Sequence, residues 1–415
     1  MSALFIAFFS FLLLEPPSGD YIGTLTIGPT SLRLVLHLSR GDDGRSTASI
    51  DSIDQGAKGI PVETVTVEGS HIKLDLAKLQ ASYDGEIDAT GNDKPVEIRR
   101  PQNPVPPYPY RTEEVTVRNE KAAVSLAGTF AVPPGKGPFP AVLLITGSGP
   151  QDRDESLMGH RPFLVLADHL ARKGVAVLRL DDRNAGKSTG SFGEAATLDF
   201  AADAESAVTW LRARAEVRPK QIGLAGHSEG GLIASIIGSR NQDVAFLVLL
   251  AGTGVTGEQI LYQQAGDIIK AAGGHEDAVT RNRDTQKAIF RIVRENPDHE
   301  AAATKLKELQ ASSPPAQIRN VNTPWFRQFL DLDPAAYLSK VKVPVLALNG
   351  ELDLQVSAAG KKDHEEQSLP GLNHLFQHAS TGLPNEYGKI EETLAPEVLE
   401  RVSAWILRRC PPPVK

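Results

Sequence analysis

The strongest chemical signal in the chain is Gly226-His227-Ser228-Glu229-Gly230. It fits G-x-S-x-G, in which a serine stands on a sharp turn between a strand and a helix with its hydroxyl exposed. The flanks fit that setting: 221–225 reads as a short buried strand, and 231–237 as a helix of small and aliphatic residues. The glycines have a mechanical role. The turn strains the backbone at Ser228, and a side chain at either flanking position would strike the neighbouring strand or helix. A serine hydroxyl is a poor nucleophile at neutral pH, so it needs a base to take its proton and an acid to orient that base.

The acid is expected in a loop just past a buried strand, where open α/β sheets place their sites. The apolar run 343–348 leads into Asn349-Gly350-Glu351-Leu352-Asp353, and Asp353 is preferred to Glu351 because its spacing from Gly350 leaves room for the turn. The base is expected at His374, 21 positions after Asp353, within Asn373-His374-Leu375-Phe376. His364 and His378 are the alternatives; His364 falls in the charged stretch 361–366, which reads as an exposed helix. His374 and His378 are one helical turn apart, but no third ligand has metal-site spacing, so no metal is expected. The histidine, with an ordinary pKa of about 6.5, takes the serine proton and returns it to the leaving group.

Donors for a developing oxyanion are expected from the loop after the apolar strand 140–145, which runs from Thr146 to Glu155. The two backbone amides assigned are those of Ser148 and Glu229, the latter being the residue after the nucleophile.

These groups need a scaffold. From 113 onward strands and helices alternate, as in a mostly parallel sheet. Helices are expected over 163–173 and 199–214, with strands over 174–180 and 244–250. Helical, charged stretches at 258–272, 278–295 and 301–309 interrupt the alternation; they are read as a cap over about 255–330, with Trp325 and Phe326 either lining a pocket or packing within the cap. Residues 20–100 form a separate N-terminal β domain. Its alternating runs 31–38, 64–68 and 72–76 suggest a small antiparallel sandwich or barrel, read as a packing module beside the site. His37 and His71 are ordinary strand residues there. The proline-rich stretch 101–112 is read as a semi-rigid linker. Ala185-Gly186-Lys187-Ser188-Thr189 echoes a phosphate loop, but Asp181 stands where the first glycine is required, so nucleotide binding is rejected.

Several motifs in one order carry a family resemblance. They are Thr-Gly-Ser-Gly-Pro-Gln-Asp-Arg-Asp at 146–154, Leu-Asp-Asp-Arg at 180–183 with Gly-Lys-Ser-Thr-Gly at 186–190, Gly-His-Ser-Glu-Gly at 226–230, Asn-Gly-Glu-Leu-Asp at 349–353 and Leu-Asn-His-Leu-Phe at 372–376. Over residues 113–410 the chain resembles the α/β-hydrolase superfamily. It is most similar to bacterial serine esterases of the EstD type, which are dienelactone-hydrolase-like. The resemblance implies an α/β-hydrolase fold with a helical cap insertion, a carboxylesterase activity, and Ser228, Asp353 and His374 as the triad. The chain departs from the family's pattern at Thr146, where His or another small polar residue is common, and at Asn184, where Gly is common.

Composition sets the bounds. A chain of 415 residues is too long for one ordinary core, and 41% hydrophobic with 23% charged residues fits a soluble globular protein. The net charge of −7 and the lack of a basic stripe leave no footprint for nucleic acid. A single cysteine, Cys410, rules out an intramolecular disulfide. The apolar run 4–14 is too short to span a bilayer but suits a secretory signal over 1–19, which would place the protein in the periplasm or outside the cell. If that run is not a signal, the location is cytoplasmic. The expectation is a cofactor-free serine carboxylesterase acting on short-chain, small-molecule esters through an acyl-enzyme. The rivals are a serine peptidase or amidase of the same fold, and a binding protein on a hydrolase scaffold.

Overall fold

The computed structural model describes residues 19–27, 30–41, 45–52, 57–68, 71–76, 81–86, 99–309, 321–356 and 365–412. Nearly all of the stretch read as a signal, and His364, lie outside them. The chain divides into two compact units, Met1–Ile98 and Arg99–Lys415.

The first unit is all β. A four-stranded antiparallel meander runs through β1 (Gly19–Ile27), β2 (Thr30–Arg40), β3 (Ser46–Ser52) and β4 (Ala57–Pro61). A three-stranded one follows in β5 (Thr64–Glu68), β6 (His71–Leu76) and β7 (Ala81–Glu86). In β6 exposed and buried residues alternate strictly, because successive side chains point to opposite faces of a strand. Its inward residues Ile72, Leu74 and Leu76 share one apolar cluster with Leu38 and Ile50 of the other meander.

The second unit is built on an eight-stranded mixed sheet. Its strands are β8 (Arg111–Asn119), β9 (Val124–Val132), β10 (Phe139–Ile145), β11 (Ala176–Leu180), β12 (Val217–His227), β13 (Val244–Leu250), β14 (Val345–Gly350) and β15 (Glu365–Leu369). The order is β15-β14-β13-β12-β10-β11-β9-β8; β9 runs antiparallel to both its neighbours, and β10 to β15 are parallel. The central strands are apolar on both faces because helices cover both. On β10, Ala141, Leu143 and Ile145 enter one core and Val142 and Leu144 the other. The first core is closed by α2 (Thr197–Arg212) and α3 (Glu229–Gly238), the second by α1 (Pro162–Arg172) and a C-terminal helix (Pro396–Arg409) whose Trp405 is fully buried. Between β13 and β14 the chain inserts α4 (Gly257–Ala271), α5 (Glu276–Glu295), α6 (His299–Leu309), α7 (Pro324–Asp331) and α8 (Pro334–Leu338). Among the described residues no helix is long and apolar enough to cross a membrane.

Two local readings change. The proline-rich stretch 101–112 belongs to the second unit and lies against its surface. The side chains interleaved with the prolines fasten it: Arg100 donates to the carbonyls of Met158, Gly388 and Ile390, Gln102 to that of Leu394, and the Tyr110 hydroxyl to Asp168. In the charged stretch 361–366, read as an exposed helix, Glu365 and Glu366 instead begin the edge strand β15 and pair with Leu346 and Ala347. Sheet pairing overrides the local charge pattern there.

Candidate active site

The turn from β12 into α3 holds Ser228 at φ 52° and ψ −117°, a left-handed conformation unusual for a non-glycine residue. The flanking glycines are required by contact. A Cβ on Gly226 would sit 2.0 Å from the carbonyl oxygen of Gly230, and one on Gly230 would sit 2.1 Å from that of Ile145. The Ser228 amide donates to the Leu250 carbonyl at 2.8 Å, which ties the turn to β13.

Asp353 follows β14 and is buried. Its Oδ1 accepts the amides of Gln355 and Val356, both at 2.8 Å, and its two oxygens lie 3.0 and 2.9 Å from His374 Nδ1. A carboxylate only accepts, so Nδ1 carries the proton and Nε2 is the free base. Glu351 is exposed, two residues earlier. His378 is exposed and pairs with Glu392 and Glu397 at 2.9 and 3.2 Å. No hydrogen bond joins Ser228 Oγ to His374, as is common before substrate tightens such contacts.

Ser228, His374 and the loop after β10 line one cavity of about 320 Å³. Its apolar wall includes Ile260, Leu261, Trp325, Phe329, Val356 and Leu375. Trp325 stacks on Phe329 with ring centres 5.1 Å apart. Phe326, the other candidate for the pocket, packs within the core of the helical insertion with Phe290 and Val293, because adjacent positions on α7 face different ways.

Each of three consecutive loop residues has a carboxylate beside it, buried at Glu155 and Glu229 and half-buried at Asp182. Thr146 Oγ1 donates to Asp182 at 3.2 Å, the Gly147 amide donates to Glu155 at 2.7 Å, and Ser148 faces Glu229. Burial, aided by the nearby Glu155 and Glu229 charges, pushes the Asp182 carboxyl up to about 7. Burial also raises Glu229, although Thr197 Oγ1 at 2.7 Å and Trp325 Nε1 at 2.8 Å donate to it. Since the Gly147 amide is committed, Ser148 is the next amide along the loop. The amide of Glu229, first in α3, has no intrahelical acceptor. A Cβ on Gly147 would come within 3.3 Å of the Ser228 Cβ, so the loop lies directly against the serine.

Sequence reasoning missed the side chains of Glu155, Asp182, His227 and Glu229. Their signal is adjacency: His227 and Glu229 are the variable positions of the serine motif, and Glu155 ends the loop after β10. Asn184, where the family commonly has glycine, adopts φ 61°, a conformation asparagine tolerates better than most residues.

The sheet order, the helices on both faces and a serine at the strand-to-helix turn define an α/β-hydrolase. The chain belongs to the family described as serine aminopeptidase, S33, which it matches over residues 161–371. It is 24% identical over 316 residues to Esterase EstD of Thermotoga maritima, covering 73% of this chain and 69% of that one. Among solved structures it is similar to a hypothetical protein of Pseudomonas aeruginosa, with a TM-score of 0.50 and 15% identity, covering 74% of this chain and 96% of that one. It is also similar to Est1E of Butyrivibrio proteoclasticus with ferulic acid bound, with a TM-score of 0.44 and 17% identity over 71% of this chain and 98% of that one.

Proposed function

We propose that the protein is a serine carboxylesterase acting on short-chain esters. The observation that carries this reading is the convergence of the strained Ser228, of His374 with Asp353 behind it, and of Gly147 and Ser148 on one mainly apolar cavity. Ser228 Oγ attacks the ester carbonyl as His374 Nε2 takes its proton. The amides of Ser148 and Glu229 hold the oxyanion, the alcohol leaves with the proton from His374, and water repeats the sequence on the acyl-enzyme. Asp353 holds the tautomer and stabilises the imidazolium. The cavity is at the small end of ligand pockets, which supports short acyl and alcohol groups. The helical insertion acts as a cap that supplies Ile260, Trp325 and Phe329 to the pocket wall.

The family description raises a peptidase reading. An aminopeptidase has to hold a substrate ammonium, which calls for a carboxylate with lone pairs to spare. The cavity-lining Glu155 and Glu229 take these donors on one oxygen each, Oε1 (Gly147 and His227 on Glu155, Thr197 and Trp325 on Glu229), so the bonds do not by themselves exclude a substrate ammonium and a direct comparison of substrates decides. The test is hydrolysis of p-nitrophenyl acetate and butyrate, beside aminoacyl p-nitroanilides, by the wild type and by Ser228→Ala. Ester turnover lost by several orders of magnitude in Ser228→Ala, with the anilides left untouched, is the expected result. Equal ester turnover by both proteins removes Ser228 from the chemistry.

A further inference from the structure

Behind the His374–Asp353 pair stands a second histidine–carboxylate pair with no role in the steps above. His227 and Glu155 are both buried. His227 Nδ1 lies 2.9 Å from Glu155 Oε1, and His227 Nε2 lies 3.0 Å from the carbonyl oxygen of His374. The same Glu155 oxygen accepts the Gly147 amide at 2.7 Å. The rings of His227 and His374 are 4.8 Å apart. One continuous chain of bonds therefore runs from the loop beside Ser228, through Glu155 and His227, to the backbone that carries His374.

We infer that Glu155 and His227 are positioning residues, a buried carboxylate–imidazolium bridge that sets the oxyanion loop and the histidine loop at a fixed spacing around Ser228. The inference rests on the hydrolase reading given above. Its chemistry follows from counting donors. Both partners of the His227 ring, a carboxylate and a carbonyl, are acceptors. A neutral imidazole has one N–H and would leave one end of the bridge facing lone pair to lone pair; only the doubly protonated ring satisfies both. Burial is the largest single influence and pushes the ring towards neutrality, but the charge and hydrogen bond of Glu155, the His374 carbonyl and the Asp353 charge together outweigh it and hold the pKa above the ordinary imidazole value. The charged or titratable groups facing the ring are Glu155, His374 and, beyond it, Asp353. Glu155 also holds φ 54°, a conformation that persists only where its surroundings impose it. Because Gly147 packs against Ser228, a slackened bridge changes the distance between the oxyanion donors and the nucleophile. That effect falls on the transition state and not on substrate binding.

Sign follows from the raised pKa: the bridge is complete at low and neutral pH and is lost as pH rises through the folded-state pKa of His227. The experiment compares the wild type with Glu155→Gln, using p-nitrophenyl butyrate from pH 5 to 10 with melting curves alongside. Glutamine keeps an acceptor for the Gly147 amide and removes the counter-charge. The expected result is a kcat lowered about 10- to 100-fold with KM nearly unchanged, and an alkaline limb of kcat moved to lower pH by about one unit. A folded variant with wild-type kcat and an unmoved limb overturns the proposal, whatever its melting temperature. If Glu155→Gln does not fold, nitrogen-15 NMR of the wild-type imidazoles decides, with His227→Gln assigning the signal. Two protonated ring nitrogens on His227 at pH 7 are expected, and a neutral tautomer overturns the bridge. That readout needs no turnover, so it stands apart from the Ser228→Ala test of the hydrolase reading.

Discussion

Replacing Asp353 by asparagine tests the orientation of His374 with little change of shape. In the native site Asp353 Oδ1 accepts the amides of Gln355 and Val356 at 2.8 Å each, and Oδ2 lies 2.9 Å from His374 Nδ1. An asparagine has one oxygen, and two backbone amides converge on the Oδ1 position. The oxygen therefore stays there and the NH₂ takes the Oδ2 position, facing Nδ1. The NH₂ then opposes the Nδ1 proton, and the Oδ1 that lies 3.0 Å from Nδ1 is already shared by two amides, so the tautomer with the proton on Nε2 and the lone pair on Nδ1 is favoured. Nε2 then has no lone pair for the serine proton. The same exchange in a serine protease triad lowers kcat by about 10⁴, and a comparable loss here corresponds to about 5.5 kcal/mol of transition-state stabilisation. Folding stability should fall by no more than about 1 kcal/mol, because both turn amides keep their acceptor. The assay is kcat and KM on p-nitrophenyl butyrate, with thermal melts to establish folding and Glu351→Gln as the control, since Glu351 is exposed. A folded Asp353→Asn enzyme within tenfold of wild-type kcat would refute the tautomer argument, and a comparable loss in Glu351→Gln would show that the wrong acid had been chosen.

Three further outcomes are expected. Gly230→Ala should destabilise the fold by about 3 kcal/mol or more, because its Cβ meets the Ile145 backbone at 2.1 Å; soluble yield and melting temperature measure this, and a native-like melt would disprove the contact. Trp325→Phe removes the indole N–H that reaches Glu229 at 2.8 Å, so stability should drop by about 1–2 kcal/mol and KM should rise more than kcat falls; Michaelis kinetics with unchanged KM would count against the link between pocket wall and α3. Asp182 has its folded-state pKa raised to about 7 from an unfolded value near 4, so the stability of its neutral form is complete below about pH 4 and is lost as pH rises through about 7. Asp182→Asn should therefore gain stability relative to wild type between those limits, by on the order of 3 kcal/mol; denaturant melts at pH 4.5 and pH 8 showing a constant difference would exclude that origin.

Much of the hydrolase unit was legible because its signals are local. The runs at 140–145 and 244–250 are apolar at every position, which marks strands buried on both faces, and the structure has strands there. The helices at 163–173, 199–214 and in the inserted segment show the 3.6-residue period and end within a few residues of the expected limits. At Glu365 and Glu366, the described part of the stretch read as helix, that reading failed because an edge strand is specified by the neighbour it pairs with, and neither residue records that β14 lies alongside. The reading of 101–112 as a linker failed for a related reason. Its prolines are visible in the sequence, whereas the carbonyls that receive Arg100 lie some 58 to 290 positions away along the chain.

For the candidate site, the sequence by itself determined the residue types, their order and the turn that exposes Ser228, since an elbow of glycines around a serine depends on contacts within a few residues. It also determined that Asp353 and His374 follow strands of the same sheet. Only the tertiary structure decided which acid reaches the histidine, that Trp325 and not Phe326 faces the cavity, and that Asp182, Glu155 and Glu229 attend Thr146, Gly147 and Ser148 in turn. Those choices rest on distances of about 3 Å between groups dozens to hundreds of residues apart, set by how the sheet stacks its loops at one end. Local pattern carries no information about which carboxylate meets which donor, because that pairing is created only when the strands are side by side.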